Sequence, residues 1–92
     1  VAEAHGVSVL LTTFAYSEEF PGNANIGHPA VRAAVDACND VVRETARRRG
    51  LGLVDLQPAL RSKELFTDGE HFTVAGNVKR TELLSPYFLK RL

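Results

Sequence analysis

Apolar and polar positions along the chain form blocks whose spacing predicts both strands and helices. Residues 7–13 are nearly continuously apolar and rich in β-branched side chains, which predicts a strand that is buried on both faces, as in a parallel sheet. Residues 29–49 carry apolar side chains at helical spacing and end in three arginines before Gly50, which predicts a helix that stops there. The apolar stripe predicted for this helix, and expected to face the core, consists of Val31, Ala34, Val35, Cys38, Val41, Val42, Thr45 and Ala46.

The remaining segments predict further elements of the same kind. Residues 1–5 predict the last turn of a helix, because Gly6 follows them. Residues 51–56 predict a second short strand, and Thr73 is a suitable N-cap for a final helix that begins at Val74. Pro86 is expected to kink or end this helix, because proline has no backbone N–H to donate.

The order strand, helix, strand predicts a βαβ unit with parallel strands and a right-handed crossover. A parallel sheet of only two strands leaves apolar faces and edges uncovered. The chain also begins with Val1 and contains no methionine. We therefore expect residues 1–92 to be a single partial domain. The unpaired edge of its first strand is a predicted site of self-association for the isolated chain.

The composition is typical of a globular protein and argues against several classes of function. Apolar residues make up 45% and charged residues 24% of the chain, and 11 basic residues balance 11 acidic ones. Nucleic acid is not an expected partner, because binding it requires a basic excess. No apolar run approaches the roughly 20 residues of a membrane-spanning helix. The single cysteine, Cys38, excludes a disulfide-stapled scaffold and a cysteine-rich zinc module.

The segment of residues 65–77 carries the most chemistry. Asp68 precedes His71 by three residues, ahead of the final helix, with Gly69 between them. Glycine permits a tight turn in which the Asp68 carboxylate reaches one imidazole nitrogen of His71, which would fix its tautomer and leave the other nitrogen to face a nucleophile. The same spacing also arises by chance, and an aspartate before a helix is a common capping residue.

This segment resembles the final conserved block of the SGNH (GDSL-type) hydrolases, a family of esterases and lipases. The family block reads Asp-x-x-His, then a helix start and a glycine; here it is Asp68-Gly69-Glu70-His71, followed by Thr73-Val74-Ala75-Gly76. The strand that ends in Val54-Asp55-Leu56 and the order of strand, helix and strand are similar as well. The resemblance therefore extends over essentially the whole chain, although only the Asp-x-x-His block is specific.

The resemblance implies a three-layer α/β/α fold with a flavodoxin-like parallel sheet, of which residues 1–92 form the C-terminal part. It also implies a serine ester hydrolase in which His71 is the general base and Asp68 its orienting partner. The family's Gly-Asp-Ser block does not occur here, and its oxyanion-hole residues cannot be assigned. The serine and the oxyanion hole are thus expected upstream, and the chain alone is expected to be inactive, because triad members act as a unit.

The long loop of residues 14–28 contributes weaker candidates. Phe14 and Tyr16 follow the first predicted strand, at the edge where ligands bind in open α/β sheets, so they are candidate substrate-binding residues. Both aromatic side chains could equally hold the loop against the core.

We predict neither a metal nor a cofactor. His28, Asp68 and His71 would make a familiar ligand set, but His28 directly precedes Pro29 and fits better as the residue that enters a helix.

Two other interpretations remain open beside an ester hydrolase that acts on a small-molecule ester. Half of a nucleotide-binding sheet would need a glycine-rich loop after the first strand, whereas the loop after Thr13 carries Glu18 and Glu19. The other alternative is a non-catalytic α/β fragment that binds a ligand or docks onto a partner through its sheet edge.

Overall fold

The structure, a computed structural model, describes residues 8–91, and the side chains of residues 8–89. The helix end expected within residues 1–6 lies outside the described residues. The elements in chain order are strand β1 (Leu10–Thr12), helix α1 (Pro29–Arg49), strand β2 (Gly52–Val54), the short helix α2 (Leu56–Ala59), a 3-10 turn (Lys63–Leu65) and helix α3 (Val74–Arg91).

The two strands form a parallel pair, as predicted. Leu10 lies opposite Gly52, and Thr12 lies opposite Val54. Within residues 8–91 each strand has one neighbour, so each leaves an edge of backbone N–H and carbonyl groups open to another strand.

Helices cover both faces of this sheet. Val54 belongs to the same apolar cluster as Tyr87 of α3, and the Tyr87 hydroxyl donates a hydrogen bond of 2.9 Å to the carbonyl of Leu53. Leu11, which is paired with Leu53, borders Thr45 of α1. Since neighbouring residues of a strand point to opposite faces, α3 covers one face and α1 the other. The predicted order of layers, helix, sheet and helix, is therefore present.

Helix α1 begins and ends where the sequence predicts. Its first residue is Pro29, and His28 before it has an extended backbone. Gly50 follows the helix with φ 64° and donates its N–H to the carbonyl of Ala46. This left-handed conformation is the reason for a glycine at the helix end.

The predicted apolar stripe of α1 is only partly correct. Ala46 is buried, but Val41 is 65% exposed, and Cys38 is exposed rather than in the core. The helix buries Asn39 instead, which is 2% exposed. The Asn39 side chain accepts a hydrogen bond from the Phe14 N–H at 2.8 Å and donates one to the Phe14 carbonyl at 2.9 Å. Because both backbone groups and both amide atoms are satisfied, a polar residue can occupy this position.

Helix α3 starts at the predicted cap and continues past its proline. Thr73 Oγ1 accepts the N–H of Gly76 at 3.1 Å. The helix runs through Pro86 without ending there. At Gly76 a Cβ atom would lie 2.1 Å from the carbonyl oxygen of Leu65, so a glycine is needed for α3 to approach the turn that precedes it.

The apolar core lies between the sheet and α3. Its buried members are Ala15, Val54, Leu56, Leu60 and Phe66. Leu60 is fully buried, at 0% exposure. The core therefore joins the end of β2 to the segment that leads toward Asp68, and it fixes that segment on the sheet.

Both long helices carry charged side chains along their length. Among residues 8–91, neither α1 nor α3 combines the length and the apolar character that crossing a bilayer requires.

Removing the side-chain amide of Asn39 should destabilise the fold. Asn39→Ala leaves the N–H and carbonyl of Phe14 without their partner beneath α1. We expect the free energy of unfolding to fall by about 2 kcal/mol, the usual cost of unsatisfied buried polar groups, measured by urea denaturation followed by circular dichroism. Asn77→Ala, at an exposed position of α3, is the control and should change stability by less than about 0.5 kcal/mol. Equal losses in the two variants would contradict this role of Asn39.

Candidate active site

Residues 66–72 form a closed turn between the core and α3, which we call the dyad turn. Phe66 and Phe72 form an antiparallel bridge, and their ring centroids lie 5.0 Å apart. Inside this bridge, the Thr67 N–H donates to the carbonyl of His71 at 2.8 Å. Because Phe66 is buried, the base of the turn is fixed while its tip projects toward the surface.

The expected contact between Asp68 and His71 is present at this tip. The Nδ1 atom of His71 lies 2.6 Å from Asp68 Oδ2. The other carboxylate oxygen, Oδ1, accepts the backbone N–H of His71 at 2.8 Å and that of Glu70 at 3.0 Å. The carboxylate is therefore held by the backbone of its own turn while it faces the imidazole ring.

These contacts shift the protonation equilibria of both side chains. The N–H of Glu70, followed by the ring and N–H of His71, lowers the pKa of Asp68 to about 2. The hydrogen bond with Asp68 raises the pKa of His71 above its ordinary value. An ionised Asp68 makes Nδ1 the protonated nitrogen of the ring. Since the His71 side chain is 74% exposed, Nε2 remains available to exchange a proton with a reacting group.

Gly69 allows the dyad turn to close against the long loop. Its φ is +102°, which side-chain-bearing residues rarely adopt. A Cβ atom there would lie 2.9 Å from Ile26 Cγ2 and 3.1 Å from Phe20 Cβ. Its carbonyl accepts the N–H of Ser17 at 2.8 Å. The sequence identified this glycine as a turn residue, and the structure adds that the loop packs on it.

Asn23 is a residue of this region that the sequence analysis missed. Its side-chain nitrogen donates to the carbonyl oxygen of Asp68 at 2.8 Å. The two residues are 45 positions apart, so no local pattern links them. The sequence shows only that Asn23 lies in a loop among turn residues. This does not indicate which distant group its side chain contacts.

A second polar cluster lies where the strands end and was also missed. Asp55 accepts the hydroxyl of Thr13 at 2.7 Å and two nitrogens of Arg43, at 2.8 and 3.0 Å. Arg43 chiefly, and Thr13 after it, lower the pKa of Asp55. The N–H of Gln57 also donates to Thr13 Oγ1 at 3.0 Å. These contacts join both strand ends to α1.

The two aromatic candidates for substrate binding have different surroundings. Tyr16 is 4% exposed, and its hydroxyl donates to Asp36 at 2.9 Å; burial and this hydrogen bond raise the pKa of Tyr16 to about 12. Phe14 is 48% exposed and borders an apolar groove of about 510 Å³ beside α1. This α1 groove is lined by Phe14, Ala30, Val31, Ala34, Val35, Cys38 and Asn39.

The hydroxyl groups of several serines are occupied elsewhere. Ser17 is 0% exposed, and its Oγ accepts the N–H of Glu19 at 3.2 Å. Ser85 donates to the carbonyl of Thr81 within α3. Neither serine lies at the strand-to-turn position that exposes a nucleophile, in agreement with the expectation from the sequence.

The dyad turn brings three side chains with possible metal-ligand atoms close together. Single atoms of Asp68, Glu70 and His71 lie within 4.8 Å of one another. His28, considered from the sequence with Asp68 and His71, lies at the start of α1 instead. An ion that bound Nδ1 of His71 would replace the contact of this atom with Asp68.

The fold is shared with a solved structure of a GDSL-like lipase from Bacteroides thetaiotaomicron. The match has a TM-score of 0.77 and 21% sequence identity, and it covers 99% of this chain and 47% of the lipase. The chain therefore spans less than half the length of that lipase. No protein-family model and no curated protein matches the chain. The predicted α/β fold, a parallel sheet with helices on both faces, is confirmed, and it matches part of the GDSL-like lipase.

Removing the charge of Asp68 should lower the pKa of His71. Asp68→Asn abolishes the main cause of the raised value, so we expect the pKa to fall toward 6.5, measured by NMR titration of the imidazole protons. Glu70→Gln is the matched control, because the Glu70 charge contributes least to the raised pKa of His71, so the shift in this variant should be much smaller. An unchanged His71 pKa in Asp68→Asn would contradict the assigned contact.

The pH dependence of turn stability follows from the same two shifts. The contribution of Asp68 is present above its ordinary pKa of 3.8 and is lost as the pH falls through about 2. The contribution of His71 is present below 6.5 and is lost as the pH rises through its raised pKa. The pair therefore stabilises the turn most between about pH 4 and 6.5.

Proposed function

We propose that this chain is the C-terminal part of an SGNH-like serine ester hydrolase, with residues 1–92 as a partial domain. The observation that carries the proposal is the 2.6 Å contact between Asp68 Oδ2 and His71 Nδ1. It lies in a fold shared with a GDSL-like lipase. A carboxylate held by its own backbone, an oriented imidazole and an exposed Nε2 side are the features that a base–orienter pair requires.

In the proposed reaction, His71 transfers one proton in each of two half-reactions. Its Nε2 accepts the proton of a serine hydroxyl as the serine oxygen attacks the acyl carbon of the ester. The imidazolium then gives this proton to the departing alcohol, which leaves an acyl-enzyme. His71 next accepts a proton from the attacking water and returns it to the serine oxygen as the acid is released. Asp68 stays ionised throughout and stabilises each imidazolium.

The serine and the oxyanion-hole donors are assigned to a part of the protein outside this chain. Two features support this assignment. The chain corresponds to 47% of the matched lipase. In addition, α1 presents an apolar groove that includes the exposed Phe14, and further sheet and helix of the same domain would bury such a surface.

Phe14 and Tyr16 remain the proposed substrate-binding residues, with unequal support. Phe14 offers an exposed ring just after β1, where an acyl chain would lie between this ring and the part of the domain that covers the α1 groove. Tyr16 is buried and bonded to Asp36, so its contribution would be to shape the loop that carries Phe14. The ligand is a small-molecule ester, and the reaction proposed here uses neither metal nor cofactor.

His71→Ala should abolish esterase activity in the complete protein. We expect kcat/KM for p-nitrophenyl butyrate to fall by about 10⁴-fold in Asp68→Asn and further in His71→Ala. The serine, histidine and aspartate of a triad act together, so the loss of one removes most of the rate enhancement. The kcat/KM of the unmodified protein should rise with pH through the pKa of His71, since the base must be neutral. This pKa is raised by Asp68, so the rise should centre above pH 6.5.

Two controls accompany this measurement. Glu70→Gln leaves the Asp68–His71 contact in place and should retain activity within about threefold. Residues 1–92 alone should hydrolyse the ester no faster than the same chain with His71→Ala. A complete protein that is equally active with and without His71 would refute the proposal.

The isolated chain should self-associate through the open edge of its sheet. Each described strand has one neighbour, and unpaired edges are templates for another strand. We expect a concentration-dependent rise in mass in sedimentation equilibrium at micromolar concentrations. A monomer at every concentration would contradict the expectation.

A pair of lysine variants separates this edge from the α1 groove. Ala34→Lys puts a charge into the groove, whereas Ala37→Lys puts one on an exposed position of the same helix that does not line it. Association through the strand edge should survive in both variants. Loss of association in Ala34→Lys alone would show that the groove, rather than the edge, is the contact.

A further inference from the structure

The long loop of residues 14–28 is fastened to the tip of the dyad turn. The N–H of Ser17 donates to the Gly69 carbonyl at 2.8 Å. Ile26 is 2% exposed and lies so close beneath Gly69 that no Cβ would fit there. The loop therefore packs on the turn instead of extending freely from β1.

Asn23 adds a polar contact that uses both ends of its side-chain amide. Its Oδ1 accepts the N–H groups of Asn25 at 2.7 Å and Ile26 at 3.0 Å, which forms an Asx-type turn. Its Nδ2 donates to the Asp68 carbonyl at 2.8 Å and lies 3.4 Å from Glu70 Oε1. One half-buried side chain thus joins a turn in the loop to the backbone of Asp68.

The partners of Asn23 determine the orientation of its amide group. Oδ1 faces two backbone donors, and Nδ2 faces a carbonyl and a carboxylate oxygen. Exchanging the two atoms would place acceptors against acceptors and a donor against donors. The contacts of Asn23 therefore favour one orientation of its amide, the one in which Nδ2 donates to the Asp68 carbonyl.

Asn23 acts on the backbone of Asp68, one of the two residues of the dyad. The Asp68 carboxylate reaches His71 over 2.6 Å, and displacements below 1 Å are enough to weaken such a contact and the catalysis that depends on it. Gly69, the next residue, has φ +102° and is a weak constraint by itself, because glycine adopts many conformations. An external donor on the Asp68 carbonyl limits that freedom.

We propose that Asn23 is a positioning residue of the site: it holds the backbone of Asp68 where the carboxylate orients His71. Its effect on catalysis rests on the proposed function, whereas its effect on the Asp68–His71 contact does not. Asn23 touches neither the imidazole nor the proposed path of the ester, so it acts through Asp68.

The test compares Asn23→Ala with Asn25→Ala in the complete protein. Asn25 is an exposed asparagine of the same loop whose backbone N–H, kept by the substitution, makes the contact with Asn23. In Asn23→Ala we expect the His71 pKa to move toward 6.5 and its Nδ1 proton resonance to broaden. We also expect kcat for p-nitrophenyl butyrate to fall about tenfold with KM changed less than twofold. Asn25→Ala should match the unmodified protein in all of these readouts.

The variant Asn23→Asp distinguishes loss of the hydrogen bond to Asp68 from loss of the loop conformation. It keeps the acceptor for Asn25 and Ile26 and removes the donor to Asp68, so it should lose kcat and the sharp Nδ1 signal as Asn23→Ala does. Its added charge itself raises the pKa of His71, so that value is not used for this variant. An unchanged Nδ1 signal and kcat in Asn23→Asp would overturn the proposal. If the unmodified protein hydrolyses no ester, the proposed function fails, and the NMR readouts alone then decide the role of Asn23.

Discussion

The candidate site depends on the way one carboxylate is held. Asp68 accepts two backbone N–H groups of its own turn through Oδ1 and contacts the imidazole of His71 through Oδ2. The backbone bonds keep the carboxylate ionised, with a pKa of about 2, and an ionised carboxylate fixes which ring nitrogen carries the proton. Orientation, tautomer and raised basicity of His71 are therefore consequences of a single seven-residue turn whose first residue, Phe66, is anchored in the core.

Close backbone approaches and polar contacts hold the elements around this turn together, in addition to apolar burial. Gly76 lets α3 touch the carbonyl of Leu65, and Gly69 lets the long loop lie against the turn. On the other side of the sheet, the Asn39 side chain forms two hydrogen bonds with the backbone of Phe14, just after β1. Arg43 donates two hydrogen bonds to Asp55, just after β2. Each of these contacts joins two different segments of the fold. Some lie on the side of the sheet that carries α3, and the others lie on the side that carries α1.

The same scaffold leaves apolar and backbone surface open. The α1 groove exposes Phe14, and both strands have an open edge among the described residues. A fold likeness that covers 99% of this chain and 47% of a GDSL-like lipase gives these surfaces a common explanation under the proposed function. They would meet the part of the domain that carries the serine. The base and its orienting partner would then come from one half of the domain and the nucleophile from the other.

The sequence by itself determined the local features of this protein. Periodicity located both strands and both long helices, and the caps at Gly50 and Thr73 follow from backbone chemistry. The Asp68–His71 contact joins residues only three positions apart, so their spacing was enough to predict it. Only the tertiary structure decided which polar side chains cross between elements. Periodicity placed Cys38 and Val41 in the core, whereas both are exposed and the helix buries Asn39. Asn39 and Asn23 find partners 25 and 45 residues away, and a polar side chain is buried when such a distant backbone group satisfies it. The spacing of residues along the chain does not show whether such a distant partner is present.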